Sequence, residues 1–147
     1  MRRAFLPPLL ALALTGCSFL GQDTPCTRAD GESAVSLVWR PSDFGGRDAA
    51  TIRLCVNDAC KERTSGDPAD PFMSVSVRLA DDIGATTVPV RLLVDFADGR
   101  PPLAQDSTAR LKEQHPNGSA CPPTVRTATY RVDPDKGLTS PKGLSLQ

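Results

Sequence analysis

Short segments in which apolar and polar residues alternate constrain the fold of this chain most strongly. In the clearest segment, Met73, Val75 and Val77 lie on one side of the chain, with serines between them. A period of two is the pattern of a β-strand with one buried face. Turn residues separate this segment from others with the same pattern, at residues 35–39, 52–56, 88–96 and 128–132. Short strands at this spacing predict an all-β chain, in the form of a β-sandwich of about seven strands.

Residues 103–114 fit this pattern less well and allow two interpretations. Ser107 could cap a short helix that contains Leu111. Alternatively, Leu103, Ala109 and Leu111 could lie on one face of a strand at the edge of a sheet. Pairing with neighbouring strands decides such segments, and of the two interpretations we favour the strand.

The first residues of the chain have the organisation of a secretory leader. Two arginines are followed by an apolar run over residues 4–14, which is too short to span a membrane. The run ends in Leu14-Thr15-Gly16-Cys17, which resembles the lipobox of bacterial lipoproteins. In that family, the thiol at the Cys17 position receives a diacylglyceryl group and the chain is cut after the Gly16 position. A cysteine suits this chemistry because its thiolate is a strong nucleophile.

The lipobox resemblance implies a lipid anchor on the extracellular face of the cell membrane. Two or three acyl chains hold a protein at a bilayer far more firmly than one chain does. We therefore predict four regions along the sequence. They are a lipoprotein signal peptide at 1–16, the lipidated Cys17 with a polar tether at 17–25, a β-sandwich domain at 26–133 and a flexible C-terminal extension at 134–147.

Four cysteines remain beside the lipidated one, and an even number in an exported chain predicts two disulfide bonds. The alternation in residues 51–56 places Cys55 on the outer face of a strand, and residues 57–58 are typical of a two-residue hairpin turn. Such a turn puts Cys55 opposite Cys60, close enough to bridge. The predicted pairs are Cys55–Cys60 and Cys26–Cys121.

A metal site is the alternative for these cysteines. Together with His115 they could supply the ligands of a zinc ion. Export argues against this site because thiols outside the cytoplasm are oxidised, and only Cys55 and Cys60 have a spacing close to that of zinc ligands. We therefore predict no metal and no cofactor.

Several features of the chain occur together in one group of proteins. The lipobox, a cysteine soon after it, the hairpin at 54–60 and the loop at 115–121 resemble small uncharacterised lipoproteins of high-GC actinobacteria. The resemblance implies an exported, lipid-anchored β-sandwich and no particular activity. Residues 26–133 also come close to the roughly 100 residues of an immunoglobulin-like sandwich, and we predict that form. No tyrosine stands two residues before Cys121, so we expect Trp39 to be a core residue and not an antibody-domain hallmark.

Motifs for catalysis are not found in the sequence. His115 is the only histidine, and there is no Gly-x-Ser-x-Gly, His-Glu-x-x-His or glycine-rich phosphate loop. The pairs Asp81/Asp82 and Asp95/Asp98 could bind calcium or cleave a glycoside, but turn positions explain them equally well. We therefore predict no catalytic residue.

Arginines on strands are the remaining candidates for a site. Arg78, Arg91 and Arg126 are expected at outward strand positions, near Thr127 and Thr129. A sheet face rich in Arg and Thr could bind an anionic wall polymer or an acidic envelope protein. The alternative is a solvated face whose charges protect the sheet from aggregation. The balance of 17 basic and 17 acidic residues excludes a basic nucleic-acid binder.

These features favour a membrane-anchored lipoprotein of the cell envelope that acts as a non-catalytic binding or accessory module. Two alternatives stay open. One is a small envelope hydrolase that uses a carboxylate pair, and the other is a structural spacer without a partner.

Overall fold

A computed structural model describes residues 26–140 of the chain. Cys17, the predicted signal peptide, the predicted tether and residues 141–147 lie outside the described residues. Among residues 26–140, no helix is long and apolar enough to cross a membrane. One 3-10 helix spans Pro41–Phe44. The strands are β1 Ala34–Trp39, β2 Ala50–Val56, β3 Ala59–Thr64, β4 Met73–Arg78, β5 Thr87–Phe96, β6 Leu103–Arg110, β7 Lys112–Gln114, β8 Val125–Asp133 and β9 Gly137–Thr139.

The strands of the described chain form two sheets. The first has the order β4-β1-β8-β7, with β9 also paired to β8, and the second has the order β3-β2-β5-β6. All neighbours are antiparallel except β1 and β8, which run parallel. The predicted all-β fold with two sheets is confirmed. The strands beyond the expected seven are β7 and β9, which have three residues each and are too short to show an alternating pattern.

The inward faces of the two sheets form one hydrophobic core. Trp39 at the end of β1 is fully buried, as the sequence predicts. Its indole N–H donates a hydrogen bond to the carbonyl oxygen of Ser65 at 2.9 Å, so the buried ring nitrogen is satisfied. The hydroxyl of Ser65 accepts a hydrogen bond from the N–H of Ala50 at 3.1 Å. These two bonds hold Ser65, the residue directly after β3, against the end of β1 and the start of β2.

The hairpin of β2 and β3 has the predicted register. Cys55 is paired with Cys60 and Val56 with Ala59 across a two-residue turn. Asn57 adopts a φ of 52°, the left-handed conformation that asparagine tolerates better than most residues and that this kind of turn requires. The turn residues therefore set the pairing of the cysteines.

Residues 103–114 form strands, as favoured above, but they belong to both sheets. β6 pairs with β5 in the second sheet, and β7 pairs with β8 in the first. Leu111 lies between them, buried, and its N–H donates to the carbonyl oxygen of Thr86 at 2.8 Å. The chain therefore crosses from one sheet to the other at Leu111.

The first sheet continues past Asp133, where the sequence placed the end of the domain and the start of a flexible extension. The carboxylate of Asp133 accepts hydrogen bonds from the N–H groups of Asp135 and Lys136, both at 2.9 Å. This turn leads into β9, in which Leu138 packs against the core. The boundary at Asp133 is therefore wrong, because a three-residue strand carries too little periodicity to be recognised.

The directions of the strands place the loops at two ends of the sandwich. The end that contains Cys26 also carries the β2–β3 turn and the loops at 79–86 and 115–124. We call this the N-terminal end. The opposite end carries the loops at 65–72 and 97–102.

Candidate functional site

Both predicted disulfide bonds are confirmed. Cys26 is bonded to Cys121 and Cys55 to Cys60, with Cα–Cα distances of 5.6 and 4.0 Å. All four sulfurs are thereby consumed, so the alternative zinc site loses its thiolate ligands. In the described part of the chain, no three or more His, Cys, Asp or Glu side chains converge on a position for a metal ion.

Asn117 holds the start of the domain beside the Cys26–Cys121 bond. Its Oδ1 accepts hydrogen bonds from the hydroxyl of Thr27 at 2.6 Å and from the N–H of Ala29 at 2.9 Å. Its Nδ2 donates to the carbonyl oxygens of Ala29 at 3.1 Å and Pro122 at 2.6 Å. The Asn117-Gly118 sequence is typical of a turn, but no pattern in the sequence indicates that Asn117 bonds to Thr27 and Ala29.

Arg78 and Arg91 lie at exposed positions in different sheets. Arg78 of β4 contacts Glu32 at 3.0 Å and Asp81 at 3.1 Å, and its hydrogen bond and charge contact with Asp81 raise its pKa above the usual value. Arg91 of β5 contacts Asp106 of β6 at 2.6 Å. This contact raises the pKa of Arg91 and lowers the pKa of Asp106. Each arginine is therefore already neutralised by the protein itself.

Arg126 does not lie at an outward position. It shares the inward register of β8 with Val132, and its side chain is 28% exposed. Its guanidinium donates to the carbonyl oxygen of Ile83 at 2.6 Å and to Glu113 at 2.9 Å. Arg126 thus joins the loop at 79–86 to β7, and the three arginines do not form one surface. The alternation at 128–132, continued back by two residues, already places Arg126 on the inward face, so the outward prediction conflicts with the strand pattern itself.

His115 takes part in a row of three polar side chains at the N-terminal end. Its Nε2 lies 3.1 Å from Glu113 Oε1, and its Nδ1 lies 3.3 Å from the hydroxyl of Thr124. A hydroxyl, an imidazole and a carboxylate in this order are the groups of an activated nucleophile. Here Glu113 also binds Arg126, and the His115 side chain is 33% exposed. Water therefore screens the charges of the row.

The two carboxylate pairs do not form a cleft. Asp81 is bound to Arg78, and Asp82 is exposed in the turn after β4. Asp98 accepts a hydrogen bond from the N–H of Arg100 at 3.1 Å, which is the turn role expected from the sequence. Asp95 is exposed on the outer face of β5.

Three grooves mark the surface of the described residues. One, of about 420 Å³, lies beside the Cys55–Cys60 bond and the Arg91–Asp106 pair. A second, of about 430 Å³, is lined in part by Arg78 and Thr124. The third, of about 360 Å³, lies at the edge of the first sheet, and we call it the edge groove. The edge groove is lined by Arg110, Lys112, Gln114, Thr127, Ala128, Thr129 and Tyr130.

The edge groove differs from the other two in its charge. Its lining includes two cations, an amide and the hydroxyls of Thr127 and Thr129, but no carboxylate. Within residues 26–140, neither Arg110 nor Lys112 forms an ion pair. The groove therefore offers hydrogen-bond donors and positive charge that no part of the described chain satisfies. The sequence did not point to Arg110 or Lys112. They lie on either side of the crossing between sheets, and the alternating pattern does not show that crossing.

Comparison of the chain with protein-family models, with curated proteins and with solved structures finds no match in any of the three. The candidate site therefore depends on its own geometry and chemistry.

Proposed function

We propose that the protein is a lipid-anchored module of the cell envelope that binds a partner without catalysing a reaction. The observation that carries this proposal is the way the domain is fastened at its start. The Cys26–Cys121 bond and the four hydrogen bonds of Asn117 fix the residues that directly follow the tether. A lipid anchor would therefore join the sandwich at this reinforced end and leave the rest of its surface accessible to a partner.

The tether and the lipobox support the same proposal. Residues 18–25 could extend at most about 28 Å, at roughly 3.5 Å per residue. A lipid on Cys17 would therefore keep the N-terminal end of the sandwich close to the bilayer. The opposite end and both sheets would face the envelope, where a protein or a wall polymer could reach them.

We further propose that the sandwich is a variant of the immunoglobulin-like fold. The order β3-β2-β5-β6 corresponds to C′-C-F-G of that fold, and the pair β4-β1 corresponds to E-B. The C-terminal strand β8 then occupies the place beside B and runs parallel to it. We also retain the proposal that the protein belongs with the small actinobacterial lipoproteins that its lipobox and cysteine spacing resemble.

The anchoring part of the proposal is tested by the mass and location of the intact protein. The full chain and a Cys17→Ala variant are expressed in a bacterium that processes lipoproteins, and both are fractionated. We expect the wild type in the membrane fraction, with the leader removed and the mass of two or three acyl chains added. The variant is expected in the soluble fraction without that mass. A wild-type chain with no added mass would contradict the anchor.

The row of Thr124, His115 and Glu113 supports a second candidate, a small envelope hydrolase. In such an enzyme the Thr124 hydroxyl would attack an ester carbonyl carbon while His115 accepts its proton, and His115 would pass that proton to the alcohol that leaves as the ester C–O bond breaks. Water would then hydrolyse the acyl-threonine, with His115 as base, and release the acid. The test is hydrolysis of a chromogenic ester by the full chain and by a His115→Ala variant. Turnover that requires His115 would favour the hydrolase over the binding module. The carboxylate-pair hydrolase has weaker support, because Asp95 and Asp98 are exposed and lie outside the three grooves.

A spacer without a partner is the remaining alternative. A spacer needs no groove in which positive charge and hydrogen-bond donors collect, whereas the edge groove of the described chain is lined by two cations and by no carboxylate. This difference favours the binding module.

A further inference from the structure

The outer edge of β8 is covered in two separate pieces. β7 pairs with Val125–Thr127 at one end of the strand, and β9 pairs with Arg131–Asp133 at the other. Within residues 26–140, no strand residue is paired with positions 128–130 on this side. The interruption spans about 13 Å from Thr127 to Arg131, at roughly 3.3 Å per residue. It is long enough for two or three residues of an extended chain, and it coincides with the edge groove.

The backbone of Thr129 points into this interruption. Successive residues of a strand direct their N–H and C=O groups to opposite sides. The N–H of Arg126 donates to the hydroxyl of Ser33 at 3.0 Å, on the side of β1. The carbonyl oxygen of Arg131 accepts from the hydroxyl of Thr139 at 3.2 Å, on the side of β9. Thr129 has the same parity as Arg131, so it presents one donor and one acceptor to the groove.

The sequence of this chain is poorly suited to fill the interruption by extending β9. β9 pairs Thr139 with Arg131, and two further residues in the same register would put Pro141 opposite Thr129. Proline has no N–H to donate to the carbonyl oxygen of Thr129. The next residue, Lys142, would bring a third positive charge to Arg110 and Lys112. The position therefore suits a segment from another molecule.

We infer that the edge groove binds an extended acidic peptide segment of a partner protein, which adds to β8 opposite Thr129 and places a carboxylate between Arg110 and Lys112. This inference rests on the proposed function and names the site and the partner class. A peptide backbone satisfies both the donor and the acceptor of Thr129, which is the basis of recognition by strand addition. A phosphate polymer would pair with the cations but could not donate to the Thr129 carbonyl. The chemistry therefore favours a peptide.

The experiment selects ligands on the detergent-solubilised full-length protein from a library of random seven-residue peptides. We expect the selected peptides to carry Asp or Glu beside β-branched residues. A synthetic selected peptide is then titrated against wild type, an Arg110→Glu/Lys112→Glu variant and an Arg40→Glu/Lys61→Glu control. The control reverses two exposed cations that form no ion pair within the described chain and lie outside the edge groove.

We expect the Arg110→Glu/Lys112→Glu variant to bind the peptide at least about tenfold more weakly and the control to stay within about twofold of wild type. Hydrogen exchange of the Thr129 amide should slow when the peptide binds. Inorganic polyphosphate should leave that amide unchanged.

Three results with the peptide and the Arg110→Glu/Lys112→Glu variant would each overturn the inference. They are a selection without acidic peptides, equal binding by wild type and the Arg110→Glu/Lys112→Glu variant, and an unchanged Thr129 amide. A peptide whose affinity rises tenfold when residues 141–147 are deleted would assign the groove to the chain's own end and would also overturn it. Binding at a different surface would overturn the inference but leave the binding module in place. The Cys17 assay reports on the anchor independently of these variants.

Discussion

Replacing Asn117 by Asp should destabilise the N-terminal end of the sandwich far more than an exposed turn substitution would. The change keeps the acceptor for Thr27 and Ala29 but turns the Nδ2 donor into a carboxylate oxygen. That oxygen would face the carbonyl oxygens of Ala29 and Pro122, which now accept from Nδ2 at 3.1 and 2.6 Å. Two lost hydrogen bonds cost about 1 kcal/mol each, and the repulsion between oxygens adds to this. We expect a loss of about 2–3 kcal/mol in the free energy of unfolding.

Thermal unfolding of the full-length protein in detergent measures this loss. For a domain of this size, 2–3 kcal/mol corresponds to a fall in Tm of about 8–12 °C. Ser119→Ala is the control, because it changes the same turn without touching the Asn117 bonds, and it should shift Tm by less than about 2 °C.

The pH dependence gives the Asn117→Asp prediction a second check. Facing carbonyl oxygens, the new carboxyl would have a folded-state pKa above its unfolded value. The loss in free energy of unfolding should therefore be complete at neutral pH and should shrink as the pH falls through the folded-state pKa. An Asn117→Asp protein that melts within 2 °C of wild type at pH 7 would refute the role assigned to Asn117.

Three further predictions concern the stability of the fold. The Cys26–Cys121 bond joins residues that are 95 positions apart, and it restricts the unfolded chain. Replacing both cysteines by Ser should therefore lower the free energy of unfolding, measured with denaturant, by about 4–5 kcal/mol. Trp39→Phe removes the hydrogen bond to Ser65 and leaves a void, so the same assay should show a loss of about 2–4 kcal/mol. The N–H groups of the turn lower the pKa of Asp133, so its stabilising effect exists above its unfolded pKa and disappears as the pH falls through its folded pKa. Asp133→Ala should therefore cost about 1–2 kcal/mol at pH 7 and much less in strong acid, and an equal loss at both pH values would contradict the assignment.

The parts of the fold that follow from local patterns could be predicted from the sequence. The β2–β3 hairpin is the clearest case, because two turn residues and the alternation around Cys55 fix the register at once. That register then determines both disulfide bonds, since only Cys26 and Cys121 are left to pair. The core position of Trp39 follows from the same alternation in β1.

The parts that depend on long-range pairing could not be predicted. The edge groove exists only because β7 and β9, each of three residues, cover different parts of β8. Neither strand has enough residues to show a period of two. β9 reaches β8 through a turn, and β7 reaches it only after the chain has crossed from the second sheet to the first. Arg126 is a different case, because its parity with Val132 in β8 indicates the inward face, and only its partners Ile83 and Glu113 depend on long-range pairing. Asn117 bonds to residues about 90 positions away, which a turn motif cannot indicate.

Site-specific cross-linking in intact cells tests most directly whether the protein binds a partner through the edge groove. A photoreactive amino acid is placed at Gln114 in the edge groove, or at exposed Thr64 on β3 as the control position. We predict a cross-linked product of defined mass from position 114 that is absent from position 64 and is lost with Arg110→Glu/Lys112→Glu. No product from position 114, or the same products from both positions, would contradict a binding module that acts through this groove.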